Sequence, residues 1–207
     1  MFAPGAAKFV GPPAALAALS VALAGLGSAP PAFVGLAVGL AGLAIFFAVF
    51  FRDPERTIGP GLVSAADGRV HRVDREGDRW RVAVFMSVTN VHVNRAPAPG
   101  TVREMDDRGS AYRPAYRSDA LHNRQRRYRF DSAYGSIEVV QITGILARRL
   151  VSFVRPGARL DKGERFGMIV LGSRVDVLFP AERLTPSVAV GDRVRAGASS
   201  IAREDVP

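Results

Sequence analysis

A long uncharged stretch near the N-terminus most strongly constrains how this chain can fold. No Lys, Arg, Asp or Glu lies between Lys8 and Arg52, and two apolar runs fill this interval. Pro12–Ser28 has 17 residues and Ala32–Phe51 has 20, against the roughly 17–25 that a membrane-spanning helix needs. Residues 29–31 (Ala-Pro-Pro) separate the runs, and proline disfavours a helical conformation in the residue before it. The stretch therefore predicts a transmembrane α-helical hairpin.

Basic residues predict the orientation of this hairpin. Lys8 precedes it and Arg52 and Arg56 follow it, while the turn carries no charge, so the positive-inside rule places both ends in the cytoplasm. A cleaved signal peptide is the alternative, but it would have one short apolar core followed by a small-residue cleavage site. We therefore expect residues 1–51 to anchor the chain in the cell (inner) membrane, with a domain of residues 52–207 on the cytoplasmic side.

The residues after the anchor show the pattern of a mainly β domain. Short alternating segments broken by Gly, Pro and Asp are typical of strands separated by turns. One segment, Ile142–Val154, is instead predicted to be helical or buried. The predicted strands are Gly68–Val73, Arg79–Phe85, Gly100–Glu104, Tyr128–Asp131, Ser136–Gln141, Arg165–Ile169 and Arg174–Leu178.

Two segments share the pattern V-x-x-G-x-x-(L/V)-x-x-G, namely Val154–Gly163 and Val188–Gly197. Glycines six residues apart with an aliphatic residue between them suit a β-turn that leads into a short strand. The spacing resembles the hammerhead turns of barrel-sandwich, lipoyl-like domains. The predicted fold class is therefore a mainly β, barrel-sandwich/lipoyl-like hybrid domain behind a helical hairpin.

The composition narrows the possible chemistry. The chain has no Cys and three His, which excludes disulfides, thiolate zinc sites and a Cys nucleophile, and no metal site is expected. Lys and Arg number 28 against 19 Asp and Glu, and the densest basic run is Arg124–Arg129. This run is interpreted as a solvated loop or a contact with the anionic membrane surface, and nucleic acid is not an expected partner.

Three short motifs contain candidate reactive groups. Asp67-Gly68 forms a turn before a strand, His92 lies near a strand end, and Gly172-Ser173 interrupts a long apolar strand. Each has a simple structural explanation when taken alone: a common turn, a packed histidine and a β-bulge. A serine hydrolase is disfavoured because the serine lies in Leu-Gly-Ser-Arg and not in a G-x-S-x-G elbow.

Taken together and in this order, the motifs resemble the phosphatidylserine decarboxylase family, specifically its short, membrane-anchored bacterial branch (type A). The apolar N-terminal hairpin resembles that branch as well. The matching strings are Phe51–Arg56 (FRDPER), Ser64–Gly68 (SAADG), Phe85–Ser87 (FMS), Asn90–Pro97 (NVHVNRAP), Val140–Gly144 (VQITG), Ala147–Arg149 (ARR), Gly163–Gly167 (GERFG) and Gly172–Val177 (GSRVDV).

The resemblance implies a proenzyme that cleaves itself between Gly172 and Ser173. The Ser173 hydroxyl would attack the Gly172 carbonyl, while His92 and Asp67, which match the histidine and the acid of the family motifs, orient and activate the attack. Elimination and hydrolysis would then leave a pyruvoyl group, the only cofactor, in place of Ser173. The large chain 1–172 and the small chain 173–207 would stay together as a heterodimer.

The resemblance also implies the reaction. The pyruvoyl ketone forms a Schiff base with the amine of membrane phosphatidylserine and accepts the electrons left when CO₂ departs, so the product is phosphatidylethanolamine. Many relatives have a second histidine three residues after the first, where this chain has Arg95, and His71 is the alternative base. Candidate phosphate-binding residues are Arg95, Arg148, Arg149 and Arg174, and a higher oligomer is possible.

A second hypothesis comes from another class of protein. A non-enzymatic, membrane-anchored lipoyl-like adaptor would also explain the hairpin and the repeated turn. Such an adaptor usually carries a long α-helical hairpin between its lipoyl halves, and no extended heptad pattern is present here. It would also give Asp67, His92 and Ser173 no shared purpose.

Overall fold

The structure, a computed structural model, describes residues 1–25, 31–115, 120, 122–145, 149–170 and 173–204. The chain divides into two compact units, Met1–Glu55 and Arg56–Pro207. The first contains two apolar helices and the second consists of β-sheet. The prediction of a mainly β fold that follows two apolar helices is therefore confirmed.

The first unit contains helix α1 (Ala7–Gly25) and helix α2 (Pro31–Phe50). Both are long and apolar enough to cross a membrane, and a helix satisfies its own backbone hydrogen bonds where water is absent. Helix α1 begins five residues before the predicted start, and within this extension the Phe9 ring stacks on Phe51 with centroids 4.7 Å apart. The predicted run end at Ser28 and the turn residues 29–30 lie outside the described residues.

Fourteen strands are present in the described part of the second unit. Their bounds are β1 Leu62–Val63, β2 Gly68–Glu76, β3 Arg79–Met86, β4 Val93–Arg95, β5 Gly100–Arg108, β6 Gln125–Ser132, β7 Gly135–Thr143, β8 Arg149–Ser152, β9 Arg159–Leu160, β10 Arg165–Val170, β11 Ser173–Pro180, β12 Leu184–Pro186, β13 Arg193–Val194 and β14 Ser200–Glu204.

These strands form three antiparallel sheets. The largest has the order β13-β2-β3-β11-β7-β6-β5-β9, and the two smaller sheets have the orders β4-β10-β8 and β1-β14-β12. Alternate residues of β11, namely Val175, Val177 and Phe179, lie in the hydrophobic core, as expected for a strand with one face on the core. Strand β11 is thereby fixed between β3 and β7 in the middle of the largest sheet.

All seven predicted strands lie within observed strands, but the helical interpretation of Ile142–Val154 is wrong. Residues 142–143 complete β7, Arg149–Ser152 form β8, and residues 146–148 lie outside the described residues. Leu-Val-Ser at 150–152 pairs with β10, and this pairing buries Leu150, which is 9% exposed. A short apolar run of this kind is stabilised by a neighbouring strand that its own sequence does not reveal.

The two V-x-x-G-x-x-(L/V)-x-x-G segments form equivalent turns. Each of the four pattern glycines has a positive φ: 91° at Gly157, 82° at Gly163, 102° at Gly191 and 75° at Gly197. Only glycine adopts this conformation without steric cost, which explains why the pattern requires it.

The residue between the glycines is buried in both copies and pairs with the first residue of a long strand. Leu160 pairs with Gly100 at the start of β5, and Val194 pairs with Gly68 at the start of β2. The two copies also lie close together, since a Cβ placed on Gly197 would be 3.4 Å from the Gly163 Cα. The second unit therefore contains an internal structural repeat.

The basic run is a strand and not a loop, so the loop interpretation is wrong. Arg126 forms two hydrogen bonds with Asp107 on the neighbouring strand, at 2.6 and 2.7 Å, which hold the pKa of Asp107 below its ordinary value. Arg127 pairs with Glu138 at 2.9 Å. Cross-strand carboxylates thus neutralise much of the charge that seemed available for a membrane surface.

Candidate active site

The predicted cleavage point lies at the start of the central strand β11. Gly172 is outside the described residues, and Ser173 is the first residue of β11, where its backbone is paired with Met86 on β3 and with Thr143 on β7. Strand β10, which leads to this point, ends at Val170. The chain thus passes from the small β4-β10-β8 sheet into the large sheet across the predicted cleavage point.

His92 lies beside this junction. It directly precedes β4, its carbonyl accepts a hydrogen bond from the Ile169 N–H on β10 at 3.3 Å, and the residue is 1% exposed. Its Nδ1 is 2.9 Å from the Asn90 carbonyl oxygen. Because a carbonyl oxygen only accepts hydrogen bonds, Nδ1 carries the proton of the neutral ring and Nε2 becomes the proton acceptor. In this tautomer, Nε2 is the ring nitrogen whose lone pair can accept a hydrogen bond or a proton.

A short turn positions the carbonyl that orients His92. The Asn90 side-chain Oδ1 accepts hydrogen bonds from the Ser87 N–H at 2.9 Å and from the Ser87 hydroxyl at 2.8 Å. The Asn90 N–H in turn donates to the Ser87 carbonyl at 3.0 Å. These bonds fix the backbone between β3 and His92.

Asp67 is buried and directly precedes β2, the strand that pairs with β3 on the side opposite β11. One carboxylate oxygen is 2.8 Å from the Arg56 guanidinium, and the other accepts a hydrogen bond from the Ala196 N–H at 2.8 Å. Among the described contacts, the Asp67 carboxylate is therefore directed to Arg56 and to the second repeated turn rather than to His92.

Sheet register relates Asp67 to the cleavage point. Arg69 pairs with Phe85, which pairs with Arg174 on the other side, so β2 lies two strands from β11, about 10 Å away. Asp67 and Ser87 both line a surface cleft of about 1020 Å³. Ser87 directly follows Met86, the residue whose backbone pairs with Ser173. Asp67 and Ser173 therefore lie at the same end of the large sheet.

A buried polar network lies in the core next to these elements. Gln141 Nε2 donates to Asn94 Oδ1 at 2.7 Å, and the Tyr128 hydroxyl donates to Gln141 Oε1 at 3.3 Å. All three residues are fully buried, and burial raises the pKa of Tyr128, which keeps its phenol neutral at working pH. The network connects β4, β6 and β7.

The neighbouring strand β10 packs closely at Gly167. A Cβ at this position would lie 2.8 Å from the Val151 carbonyl oxygen, so only glycine allows this approach.

Two of the candidate phosphate-binding arginines are buried in structural interactions. Arg174 forms two hydrogen bonds with Asp176, at 2.7 and 2.8 Å, and both are 2% exposed; burial raises the pKa of the Asp176 carboxyl and the Arg174 charge opposes the rise. Arg95 is 5% exposed and donates to the Gly163 carbonyl at 3.0 Å. Neither guanidinium is placed for a ligand from solvent. Arg149 is exposed at the start of β8, and Arg148 lies outside the described residues.

The other two histidines occupy different environments from His92. His71 lies at the irregularity in β2 and is exposed, and His122 is also exposed. Among the described residues, no group of three histidine or carboxylate side chains could hold a metal ion. The arginines that line the cleft, Arg69, Arg193 and Arg195, are site candidates that the sequence analysis missed. The alternation Arg-Val-Arg at 193–195, centred on the aliphatic residue of the second repeated turn, was the available signal.

Comparisons with known proteins bear on this site. The phosphatidylserine decarboxylase family profile matches residues 43–202. The phosphatidylserine decarboxylase proenzyme of Thermobifida fusca is 44% identical over 171 residues, which cover 82% of this chain and 78% of that protein. The proenzyme of the same name from Streptomyces griseus is 41% identical over 202 residues, 97% of this chain and 92% of that protein. A putative archaetidylserine decarboxylase proenzyme of Methanosarcina barkeri is 41% identical over 163 residues, 77% of this chain and 78% of that protein.

Proposed function

The chain belongs to the phosphatidylserine decarboxylase family, and from this premise we propose how its own residues convert phosphatidylserine to phosphatidylethanolamine and CO₂. Because the chain belongs to an enzyme family, the adaptor hypothesis is no longer needed. That hypothesis assigned no chemistry to the motifs that contain Asp67, His92 and Ser173. The observation that carries the proposal is the buried His92. Its Nδ1 is fixed by the Asn90 carbonyl, and its backbone is bonded to the strand that leads to Ser173.

Self-cleavage starts at Ser173. Its Oγ attacks the Gly172 carbonyl carbon, His92 Nε2 takes the hydroxyl proton, and the proton passes to the Ser173 nitrogen as the peptide C–N bond breaks. The peptide becomes an ester, and the missing side chain of Gly172 leaves the attacked carbon accessible. Elimination of this ester, then hydrolysis with release of ammonia, converts Ser173 to a pyruvoyl group. The products are a large chain 1–172 and a small chain 173–207, which form a heterodimer.

Proenzymes of this family carry such a serine-derived pyruvoyl group, whose carbonyl supplies an electrophile for the substrate amine and an electron sink for decarboxylation. The described residues fit this group, because its position is the first residue of a central strand held on both sides by β3 and β7. Because His92 Nε2 has given the hydroxyl proton to the Ser173 nitrogen during self-cleavage, it can take up another proton from solvent afterwards. We assign it the further role of delivering that proton to the substrate carbon that loses CO₂.

Asp67 is assigned to self-cleavage because its carboxylate lines the cleft at the same end of the sheet. We expect Asp67→Asn to slow self-cleavage by about 100-fold, since asparagine keeps an acceptor for the Ala196 N–H but removes the charge. Arg56→Gln is the matched control, because it breaks the same ion pair and leaves the carboxylate in place. The measurement is the rate at which full-length protein disappears on a denaturing gel. Equal rates in the two variants would show that Asp67 acts only through the ion pair.

The apolar helices anchor the enzyme in a membrane, and we propose the cell membrane with both ends of the hairpin in the cytoplasm. Lys8, Arg52 and Arg56 support this orientation through the positive-inside rule. Anchoring keeps the catalytic unit at the surface that contains phosphatidylserine and so raises the local substrate concentration.

The experiment that tests the proposed function is an intact-mass measurement of the purified full chain in detergent. We expect two chains, Met1–Gly172 and Ser173–Pro207, and the small chain should be lighter than the product of simple hydrolysis by one ammonia molecule. Its N-terminus should resist Edman degradation, because it has no free amine. Borohydride with phosphatidylserine should inactivate the enzyme by reducing the Schiff base, and phosphatidylserine without borohydride provides the control for losses that do not depend on reduction. An active preparation that contains only uncut chain would contradict the proposal.

A further inference from the structure

Three arginines line the cleft that adjoins the start of β11. Arg69 on β2 and Arg193 on β13 are directly paired across the two antiparallel strands. Arg195 directly follows the end of β13 and lines the same cleft. All three are exposed and line the cleft of about 1020 Å³, and they concentrate positive charge on one wall of it.

No described carboxylate neutralises this charge. The Arg69 side chain donates to the Gly191 carbonyl oxygen at 2.9 Å, and none of the three arginines forms an ion pair with a described residue. Asp67, the only acidic residue among those that line the cleft, is engaged by Arg56 at 2.8 Å. Like charges directly opposite in a sheet are destabilising. An anion bound between them would remove this cost.

The internal repeat shows that the fold itself does not require the three arginines. In the first repeated turn, Arg159 pairs with Thr101, as Arg193 pairs with Arg69 in the second. Residue 161, the counterpart of Arg195 in the pattern, is an aspartate. At the three positions that correspond to Arg69, Arg193 and Arg195, the first copy has a single arginine and still forms the same turn and strand pairing. The cluster is therefore particular to the copy that lines the cleft.

We propose that Arg69, Arg193 and Arg195 bind the phosphate diester of the substrate head group, an inference that rests on the proposed decarboxylase function. The arginine fork matches the oxygens of a phosphate and binds them by charge-assisted hydrogen bonds. In phosphatidylserine, only the Cβ and Cα of the serine lie between the phosphate ester oxygen and the amine. A phosphate held in this cleft thus directs the amine towards the end of the sheet where β11 begins.

The same arginines could instead attract anionic lipids of the bilayer, which share the phosphate chemistry. The position of the cleft favours the substrate phosphate, since Ser87 on its wall directly follows the backbone partner of Ser173. A soluble substrate distinguishes binding of the substrate phosphate from attraction to bilayer lipids, because it reaches the cleft without a membrane.

The test uses the fully processed enzyme in uncharged detergent and monomeric dihexanoyl phosphatidylserine below its critical micelle concentration. We expect the double variant Arg193→Gln/Arg195→Gln to self-cleave normally and to have a KM about 10- to 100-fold above wild type, with kcat changed less than about threefold. Arg193→Lys/Arg195→Lys should have a KM between those of wild type and the glutamine variant, because the positive charge is kept but the paired N–H donors of the guanidinium are lost. Arg159→Gln, at the equivalent position of the other repeat, is the matched control and should behave as wild type.

The outcomes distinguish the proposals. Unchanged KM for the monomeric substrate in the glutamine variant overturns the phosphate site, and activity lost only on vesicles that contain phosphatidylglycerol assigns the arginines to the membrane surface. An equal increase of KM in the Arg159→Gln control would also overturn the phosphate site, since the loss of any exposed positive charge would then have the same effect. If wild-type enzyme neither cleaves itself nor releases CO₂, the proposed function fails instead, independently of the arginines.

Discussion

Replacing Ser173 with alanine should leave a single uncleaved chain that releases no CO₂ from phosphatidylserine. Alanine has no hydroxyl to attack the Gly172 carbonyl, so the ester whose elimination and hydrolysis produce the pyruvoyl group cannot form. Activity should fall to the uncatalysed level, at least about 10³-fold below wild type. The measurements are a denaturing gel and the release of labelled CO₂ from phosphatidylserine in mixed micelles.

The control for this variant is Ser110→Ala, which removes an exposed serine hydroxyl outside the strands and should leave both processing and activity intact. The core packing of β11 comes from Val175, Val177 and Phe179, so Ser173→Ala should keep the circular dichroism spectrum of the wild type. A Ser173→Ala protein that decarboxylated phosphatidylserine normally would exclude a pyruvoyl group at this position.

Replacing His92 with alanine should have the second largest effect, because His92 takes part in both proposed proton transfers. It is the base in self-cleavage and the acid that protonates the substrate carbon after CO₂ leaves. Loss of a positioned general base costs about 10²- to 10⁴-fold in rate, so self-cleavage should take days where the wild type is processed during expression. Pulse labelling followed by a gel measures this rate. Added imidazole should partly restore cleavage, because a small base can occupy the space that the side chain leaves.

The two exposed histidines provide matched controls. His122→Ala should be processed at the wild-type rate, and His71→Ala tests the alternative base directly. If His92→Ala cleaved normally and His71→Ala did not, the base would be His71 and the role of His92 would be structural. The fraction of His92→Ala that does become cleaved allows a second measurement, since its kcat per processed chain reports the decarboxylation step separately. A kcat equal to wild type there would restrict His92 to self-cleavage.

Much of the architecture could be predicted because its signals are local. The apolar length of the two runs, the alternation within strands such as β3 and the glycine spacing of the repeated turns depend only on neighbouring residues. The helical interpretation of Ile142–Val154 was wrong because the signal for its structure is not local. The strand β8 within it exists through its pairing with β10, and no property of the segment alone specifies that partner.

The candidate site was predictable in part for a different reason. Asp67, His92 and Ser173 were found because their motifs resemble those of a family, whereas composition and spacing left each with a structural explanation. The arginines show the limit of this approach. Arg95 and Arg174 were selected by position in a motif, and the structure shows both buried in contacts within the protein.

The sequence by itself determined the apolar hairpin, the β character of the second unit and the repeated turn, since each follows from residue type and short-range spacing. The serine at which the chain is proposed to cut itself came from the family resemblance of its motif. Only the tertiary structure decided which charges are available to a ligand. Burial and ion pairing depend on sheet register, and register brings together residues as distant in the chain as Arg69 and Arg193. Tertiary packing likewise places His92 against β10 and directs Asp67 to Ala196 in the second repeated turn, because these hydrogen-bond partners are set by proximity in space rather than by order in the chain.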